Sequence, residues 1–243
     1  MNNKVIIVMP AFNTGKTLAK TIRRIPAGIA DEIILINDGS RDNTKIIAEE
    51  LGLIVINHDR NKGYGATLKT GFNKALDLNA GMVMVLHSDN QYAPELVSIM
   101  IEILVRGEAD VVLASRMMDK NVFKNMPFYR YFANRILTLI QNTIFQKRME
   151  EYQTGYRAYN SNVLKEIPYD RNSDDFVFDN ELFAQIAHKK LTVREIPCPT
   201  IYNRETSSIN IPKSLKYFFN VMSVSLGYLL HKLKIKKYWI LEE

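Results

Sequence analysis

The sequence predicts an α/β fold: a Rossmann-like, mostly parallel sheet with helices on both faces, followed by an amphipathic helical extension at the C-terminus. Three observations support this prediction. Short apolar, β-branched runs alternate with segments of helical periodicity through the first half of the chain. The runs are almost continuously apolar, which is typical of parallel strands buried on both faces. Polar clusters follow the runs, as expected where strands end at a ligand-binding edge.

The elements follow in chain order. The predicted strands of the first half are Lys4–Met9, Glu32–Ile36, Leu53–Ile56, Met82–Leu86 and Asp110–Ala114. The predicted helices between them are Thr17–Ile25, Asn43–Leu51, Ala66–Leu78 and Pro94–Val105. The second half is predicted to contain a helix over Pro127–Arg148, a loop or short strand at EYQTGYRAYN, a helix over Asp179–Lys190 and a strand over Thr192–Ile196. We expect this half to add mixed strands and one wall of the site.

The composition favours a cytoplasmic globular protein. The chain has 243 residues, 47% of them hydrophobic, which is enough for a substantial core. Cys198 is the only cysteine, so no intrachain disulfide can form, which fits a reducing compartment. The start, MNNKVIIVMPAFN, lacks the charged and long apolar regions of a signal peptide and predicts a first strand. We therefore predict one domain over residues 1–212 and a basic amphipathic helix over residues 213–243.

That C-terminal helix carries the excess positive charge. The net charge is +6, and no Asp or Glu occurs between Thr206 and Leu241. One helical stripe of the segment consists of Leu215, Phe218, Met222, Leu226, Leu229 and Leu233. The apolar stretch falls short of the ~20 residues that a spanning helix needs. Residues 213–237 are therefore predicted to lie in a membrane interface, with packing on the domain itself or on a second subunit of a homodimer as the alternatives. No nucleic-acid binding is expected, because no recognition module accompanies the basic tail.

Four polar clusters should meet at one edge of the sheet, because each follows a predicted strand. They are PAFN after the first strand, NDGS after the second, HSDNQY after the fourth and SR after the fifth. An acid after the second strand, another after the fourth and Arg116 after the fifth together suit a nucleoside diphosphate. The glycines of NKGYGATLKTG are weaker, since they also suit a loop that starts a helix.

Two clusters have the chemistry of a metal site and of an acid–base site. Asp89 and Gln91 offer oxygen ligands to a hard divalent cation that also binds phosphates, and His87 offers a nitrogen. The alternative is a polar turn in which Asp89 caps the next helix. In DDFVFDNEL, Asp179 and Glu181 are either a helix N-cap with a solvated face or carboxylates that activate or orient a nucleophile.

The ordered set of motifs resembles glycosyltransferase family 2, especially its dolichyl- or polyprenyl-phosphate sugar transferases. The matching stretches, over residues 4–210, are VIIVMPAFN, DEIILINDGSRDNT, NKGYGATLKTGF, MVLHSDNQYAPE, ADVVLASR, MPFYRYFANRI, QTGYRAYN, DFVFDNEL and REIPCPTIYNRETSSI. The resemblance implies a GT-A fold and an inverting transfer of sugar from a UDP- or GDP-sugar, with a divalent metal, Mn²⁺ or Mg²⁺. The preferred acceptor is a polyprenyl phosphate. The alternatives are a saccharide or other soluble hydroxyl acceptor, or a catalytically silent nucleotide-sugar-binding module.

The resemblance also implies roles for individual residues. The nucleotide-sugar would be bound by Pro10, Phe12, Asn13, Ile36, Asp38, Lys62, Gly63, His87, Ser88, Asp89, Arg116 and Arg204. The catalytic residues would be Asp89, Arg116, Asp179 and Glu181, and the metal ligands Asp89, Gln91 and His87. The acceptor would be bound by Arg130, Arg135, Gln153 and Arg157.

The chain departs from the family pattern at three positions. The family usually has Asp in place of His87 and of Asn37, and its late loop often has Lys where this chain has Ser208. A neutral imidazole ligand favours a transition metal, so we expect manganese to support activity better than magnesium; His87 could instead hydrogen-bond a phosphate. A lipid phosphate is already an anionic nucleophile, and Asp179 or Glu181 would then orient it. A hydroxyl acceptor would require one of them as the base. A lipid acceptor would also place the protein on the inner face of the membrane as a peripheral protein.

Overall fold

A computed structural model describes residues 3–199 and 211–242, which form one seven-stranded sheet with helices on both faces. The strands are β1 Val5–Ala11, β2 Glu32–Asn37, β3 Ile54–Asn57, β4 Met82–Val85, β5 Val111–Ser115, β6 Arg157–Asn160 and β7 Val193–Pro197. The helices are α1 Gly15–Arg23, α2 Thr44–Glu50, α3 Tyr64–Asp77, α4 Val97–Val105, α5 Val122–Asn125, α6 Phe128–Phe145, α7 Ser161–Glu166, α8 Phe178–His188 and α9 Ile211–Lys232. Each strand and helix predicted from the sequence is present.

The strand order is β3-β2-β1-β4-β6-β5-β7. Strand β6 runs antiparallel to both β4 and β5, and the other neighbouring pairs are parallel. The chain therefore builds outward from β1 in one direction through β2 and β3, and then resumes on the other side with β4. The carboxyl ends of β1 and β4 lie at this switch point, where open α/β sheets form their ligand crevice.

The sheet separates two apolar layers. Ile6 and Val8 pack with α3, α6, α8 and α9 on one face, whereas Ile7 and Met9 pack with α1, α2 and α4 on the other. Alternate residues of a strand point to opposite faces, so a strand that is covered on both sides must be apolar at every position. This burial explains the continuous apolar runs of β1, β4 and β5.

The C-terminal helix α9 shares the core of the domain. Val221, Val224 and Tyr228 are buried with α6 and α8, and the Tyr228 ring meets Phe145 edge-on at 4.8 Å. Helix α9 therefore packs on the domain itself, which was one of the alternatives for the C-terminal segment, and the boundary at residue 212 stays a prediction. Members of the predicted apolar stripe lie on the outer side of this helix, where Leu215, Leu226 and Leu233 are all more than half exposed. Within the described residues, no helix is both long and apolar enough to cross a membrane.

Candidate active site

Two neighbouring cavities open at the ends of β1 and β4. The β1 cavity, of about 630 Å³, is lined by residues at the carboxyl ends of β1, β2 and β4, including Pro10, Asp38 and Ser88. The α6 cavity, of about 470 Å³, lies towards α6 and is lined in part by Arg116 and Arg130. The residues that line both cavities are Phe12, Tyr64, His87, Asp89, Phe176 and Tyr217. A ligand in one cavity can therefore meet a ligand in the other at this junction.

In the β1 cavity, Asp38 fixes the loop that leads into α3. Its carboxylate accepts hydrogen bonds from the backbone N–H of Lys62 at 2.9 Å and of Gly63 at 3.0 Å, and lies 2.7 Å from His58 Nδ1. The Lys62 ammonium pairs with Asp59 at 3.1 Å. Lys62 and Gly63 thus hold Asp38 through their backbone. His58, which follows the short strand β3, was not predicted as a site residue.

The other predicted nucleotide contacts divide into lining and supporting residues. Pro10, Phe12 and Ser88 line the β1 cavity, and the Ser88 hydroxyl donates to the Pro10 carbonyl at 3.0 Å. Ile36 does not line the cavity, because it is fully buried within β2. Asn13 also lies outside the lining, where its Oδ1 accepts from a backbone N–H of the neighbouring loop at 2.8 Å.

A hydrogen-bonded chain crosses the junction between the cavities. The Tyr64 hydroxyl donates to Asp179 Oδ2 at 3.0 Å, and His87 Nε2 lies 3.3 Å from the same hydroxyl oxygen. Because the Tyr64 hydrogen goes to the carboxylate, we assign the remaining hydrogen to His87 Nε2. Burial lowers the pKa of His87, which keeps the ring neutral, and raises the pKa of Tyr64. Tyr64 was not predicted as a site residue, because the glycine-rich segment that contains it also suits a helix start.

Arg157 lies beneath this chain and does not reach the acceptor position predicted for it. Its guanidinium is fully buried and donates to the carbonyls of Thr154, Asp179 and Tyr152 at 2.8–2.9 Å. Its Nε lies 3.7 Å from Asp179 Oδ1. That Oδ1 atom is buried at the cavity wall and accepts no hydrogen bond from a described residue. Arg157 therefore positions Asp179, and Asp179 keeps one oxygen for a ligand.

In the α6 cavity, a buried acid holds Arg116. Glu151 is fully buried and accepts from the Arg116 backbone N–H at 2.7 Å and from its Nε at 2.9 Å. Arg130 lines the cavity, but Arg135 lies outside the lining and pairs with Glu150 at 2.6 Å. Of the two arginines predicted on α6, one thus faces the cavity and the other lies beside it.

Of two further predicted site residues, Gln153 lines a cavity and Glu181 does not. Gln153 lines the α6 cavity and donates to Gln141 Oε1 at 2.7 Å, which leaves its own buried Oε1 without a hydrogen-bond donor among the described residues. Glu181 lies outside the lining and accepts from the Ser173 backbone N–H at 2.6 Å. Burial raises the pKa of Glu181. Of the predicted pair Asp179 and Glu181, Asp179 therefore lines the α6 cavity, whereas Glu181 holds a loop in place.

The first turns of α9 form part of the cavity walls. Lys216, Tyr217 and Asn220 line the β1 cavity, and the Tyr217 hydroxyl accepts from Asn180 at 2.7 Å. These residues were not predicted as site residues, because the helix that carries them was expected to form an extension. Arg204, which was predicted to bind the nucleotide-sugar, lies outside the described residues.

The loop after β4 could hold a divalent cation if a ligand supplies further oxygens. Asp89 and Gln91 both line the α6 cavity, and the Gln91 backbone N–H donates to Asp89 Oδ1 at 3.1 Å. The Thr17 hydroxyl on α1 fixes the loop by donating to the Ser88 carbonyl at 2.8 Å. Across the described ranges, no three His, Cys, Asp or Glu side chains form a metal-binding group. One carboxylate and one amide suit a hard cation whose remaining ligands are phosphate oxygens.

Sequence comparison identifies the family. The model of Glycosyl transferase family 2 matches residues 6–168. The chain belongs to this family. The family match confirms the predicted glycosyltransferase activity. The names of relatives confirm the predicted dolichyl- or polyprenyl-phosphate branch of the family.

Two archaeal relatives match nearly the whole chain. An uncharacterised protein of Methanocaldococcus jannaschii is 30% identical over 222 residues, which cover 90% of this chain and 91% of the relative. A UDP-N-acetylglucosamine–dolichyl-phosphate N-acetylglucosaminyltransferase of Methanococcus voltae is 27% identical, with 93% of this chain and 98% of the relative covered. The likeness to both relatives extends beyond residue 168, where the family match ends.

A solved structure shows the same fold. Glucosyl-3-phosphoglycerate synthase from Mycobacterium tuberculosis, in a complex with Mn²⁺, UDP and phosphoglyceric acid, superposes with a TM-score of 0.70 at 16% identity. The match covers 93% of this chain and 78% of the other. The predicted GT-A fold is confirmed by this likeness and by the family match.

Proposed function

We propose that the protein transfers a sugar from a nucleoside diphosphate sugar to a polyprenyl phosphate at a membrane surface. One observation carries the proposal: the β1 cavity and the arginine-lined α6 cavity meet at Asp89 and Tyr64. A donor in the first cavity and an anionic acceptor in the second would then meet at the anomeric carbon. The name of the Methanococcus voltae relative supports both substrate classes.

The donor diphosphate is proposed to lie beside Asp89. Asp89 and Gln91 would hold Mn²⁺ or Mg²⁺ together with the diphosphate oxygens, and the bound cation supplies charge neutralisation for the leaving nucleoside diphosphate. Arg116, fixed by the buried Glu151, adds a second positive charge at the same wall. Ligation of the cation by His87 stays a prediction, because His87 Nε2 lies against the Tyr64 hydroxyl.

The acceptor is proposed to bind in the α6 cavity with its phosphate towards Arg130. The same cavity has apolar lining at Met126, Leu137 and Phe218, which suits the first isoprene units of a lipid chain. An acceptor phosphate oxygen would attack the anomeric carbon as the bond to the diphosphate breaks, so that the sugar moves with inversion. The phosphate is already anionic, and no proton has to be removed.

Asp179 is proposed to orient the donor sugar. Its carboxylate receives the Tyr64 hydrogen on Oδ2, while Oδ1 accepts no hydrogen bond from a described residue. A buried acceptor atom without a donor is unfavourable, by about 1–3 kcal/mol, and a sugar hydroxyl would satisfy it. The Arg157 guanidinium, whose Nε lies 3.7 Å from Asp179 Oδ1, would hold the carboxylate in position while the phosphate attacks.

The protein is proposed to work as a peripheral protein on the inner face of the membrane. Helices α6 and α9 both present apolar side chains on their outer sides: Phe128, Phe132 and Leu139 on α6, and Phe219 and Leu226 on α9, each more than half exposed. Exposed apolar patches of this kind mark membrane or protein interfaces. The homodimer predicted as an alternative would cover the same side chains with a second copy.

The second candidate function is transfer to a hydroxyl with Asp179 as the base, which is favoured because its Oδ1 accepts no hydrogen bond from a described residue. An Asp179→Asn variant separates the two functions. Transfer to a hydroxyl should be lost, since a base is worth about 10²–10⁴-fold. Transfer to a phosphate should survive at a reduced rate.

The decisive experiment offers UDP- and GDP-sugars, with Mn²⁺ or Mg²⁺, to three acceptors: a polyprenyl phosphate, the matching polyprenol and a soluble saccharide. Glycolipid formation and nucleoside diphosphate release are both measured. Of the three acceptors, we expect only the polyprenyl phosphate to support turnover. Turnover should be faster with Mn²⁺ than with Mg²⁺. Equal turnover with the polyprenol or saccharide would overturn the acceptor assignment. Donor binding without any turnover would indicate a silent nucleotide-sugar-binding module.

A further inference from the structure

A third cavity lies at the far end of α6 and α9 from the proposed site. It measures about 850 Å³ and opens where α6, α8 and α9 end. Six lysines line it, here named the basic cluster: Lys147, Lys190, Lys232, Lys234, Lys236 and Lys237. The proposed transfer reaction uses none of them.

Only three lysine side chains of the basic cluster have a hydrogen-bond or ion-pair partner among the described residues. Lys147 donates to the Leu191 carbonyl at 3.4 Å, and Lys232 donates to Gln146 Oε1 at 2.7 Å. Both lysines suit the negative ends of helix dipoles. Lys237 pairs with Glu242 at 3.2 Å. The remaining members form no ion pair with a described residue, so their mutual repulsion has no counter-charge there.

The segment that carries most of these lysines is held in place. The Tyr238 ring packs on Gly227, where a Cβ atom would come within 2.9 Å of it. The Tyr238 backbone N–H donates to His231 Nδ1 at 3.1 Å. Residues 232–239 therefore form a turn that folds back on α9, and the lysines project from a defined surface.

Exposed apolar side chains alternate with the lysines in this turn. Leu233 is 58% exposed, Ile235 68% and Trp239 54%. Tryptophan and aliphatic side chains interleaved with lysine are typical of segments that lie in the headgroup region of a bilayer. A site for a soluble phosphate would need the lysines but would not need these apolar neighbours.

We propose that the basic cluster binds the anionic phospholipid headgroups of a bilayer, with Leu233, Ile235 and Trp239 inserted beside them. The inference rests on the proposed function, in that it names the lipid class that holds the enzyme on its acceptor-containing membrane. Helix α6 has 18 residues, so it spans about 27 Å. An anchor at one end of α6 and a lipid phosphate in the α6 cavity at the other would hold this helix along the membrane surface.

The test is co-sedimentation of the full chain with vesicles of phosphatidylcholine, with or without phosphatidylglycerol. We expect binding that requires phosphatidylglycerol and weakens with salt. A lysine near an anionic surface contributes about fivefold in affinity. The combined Lys234→Gln, Lys236→Gln and Lys237→Gln variant should therefore bind about 100-fold more weakly. The matched control replaces Lys20, Lys45 and Lys165, which are exposed on other helices, by glutamine and should bind normally.

Two further measurements separate this inference from related ones. Turnover of a detergent-solubilised polyprenyl phosphate should be the same in the Lys234/Lys236/Lys237 variant as in the unmodified chain. If the unmodified chain itself shows no turnover, that result counts against the proposed function and not against this inference. Replacing Leu233, Ile235 and Trp239 by serine should weaken vesicle binding while thermal stability is kept. Equal binding to neutral and anionic vesicles would overturn the inference. Normal vesicle binding by the Lys234/Lys236/Lys237 variant, or by the variant with serine at Leu233, Ile235 and Trp239, would do the same. So would calorimetric binding of inorganic pyrophosphate that is as tight as vesicle binding and is lost in the Lys234/Lys236/Lys237 variant.

Discussion

The two halves of the molecule hold their site residues in different ways. In the donor half, residues 5–115, Asp38 is held by backbone N–H groups of the loop that begins after the next strand. The acceptor half comprises residues 116–199 and 211–242. There, buried ion pairs hold the site residues in place: Arg116 pairs with Glu151, and Arg157 pairs with Asp179. The donor half should therefore tolerate changes at the site without unfolding, whereas changes in the acceptor half should alter stability and activity together.

The largest effect is expected at Asp89 in the donor half. Asp89→Asn keeps the oxygen that accepts from the Gln91 N–H but removes the charge that would hold the cation. Activity should fall about a thousandfold, because a catalytic cation contributes several kcal/mol, while the melting temperature changes little. The control is Asp59→Asn, at a side chain that is 72% exposed, which should change neither. A large drop in melting temperature for Asp89→Asn would break the comparison.

The second prediction compares two arginines that the sequence assigned the same role. Arg157→Met removes a fully buried cation, so that three backbone carbonyls lose their donor and the Asp179 carboxylate loses its ion pair. Breaking a buried ion pair lowers the free energy of unfolding by about 3–5 kcal/mol. Arg135→Met removes an exposed pair with Glu150 and should cost under about 1 kcal/mol.

Urea unfolding of both variants checks this prediction. Similar losses for the two variants would mean that burial of Arg157 does not control the stability of the acceptor half. A large loss of activity in Arg135→Met with full stability would instead restore its predicted contact with the acceptor.

The features that the sequence could predict are those set by local pattern, and the features that it could not predict depend on contacts between distant segments. Strands, helices and the polar loops that follow them depend on local periodicity, and so the fold, Asp38 and Asp89 were placed at the crevice from the pattern alone. Burial of Arg157 depends on contacts with α8, and the position of Tyr217 depends on α9 packing against the domain. Neither follows from spacing along the chain. Tyr64 had a local signal, since it lies in the glycine-rich segment. Its role could not be predicted, because it depends on a hydrogen bond to Asp179, which is distant in the sequence.

The third prediction concerns Tyr64, which joins the two halves. Tyr64→Phe removes the donor to Asp179 and the partner of His87. A hydrogen bond to a charged group contributes about 1.5–3 kcal/mol, so kcat should fall about 10- to 100-fold with the donor KM unchanged. Tyr152→Phe is the control, because its hydroxyl donates to Asn142 at 2.8 Å and lines neither cavity. An equal loss of kcat in both variants would reduce Tyr64 to a structural residue.

The smallest effect is a pH dependence of stability in the acceptor half. Glu195 accepts the backbone N–H groups of Glu150 and Glu151 at 2.7 and 2.9 Å, and so supports the segment that holds Arg116. Burial raises the pKa of Glu195 to about 7, above its ordinary value of 4.5. Between these values the folded state binds a proton that the unfolded state has released. The free energy of unfolding should therefore fall as pH rises from 4.5 to 7 and then level off.

Glu195→Gln should flatten this slope, as measured by urea midpoints at intervals between pH 4.5 and 8. Some slope should persist, because burial also raises the pKa of Glu181. Glu49→Gln, at a side chain that is 53% exposed on α2 in the donor half, should leave the slope unchanged. If the Glu195 variant retains the full slope, the pH dependence arises elsewhere. The support of Glu150 and Glu151 would then not depend on the protonation state of Glu195.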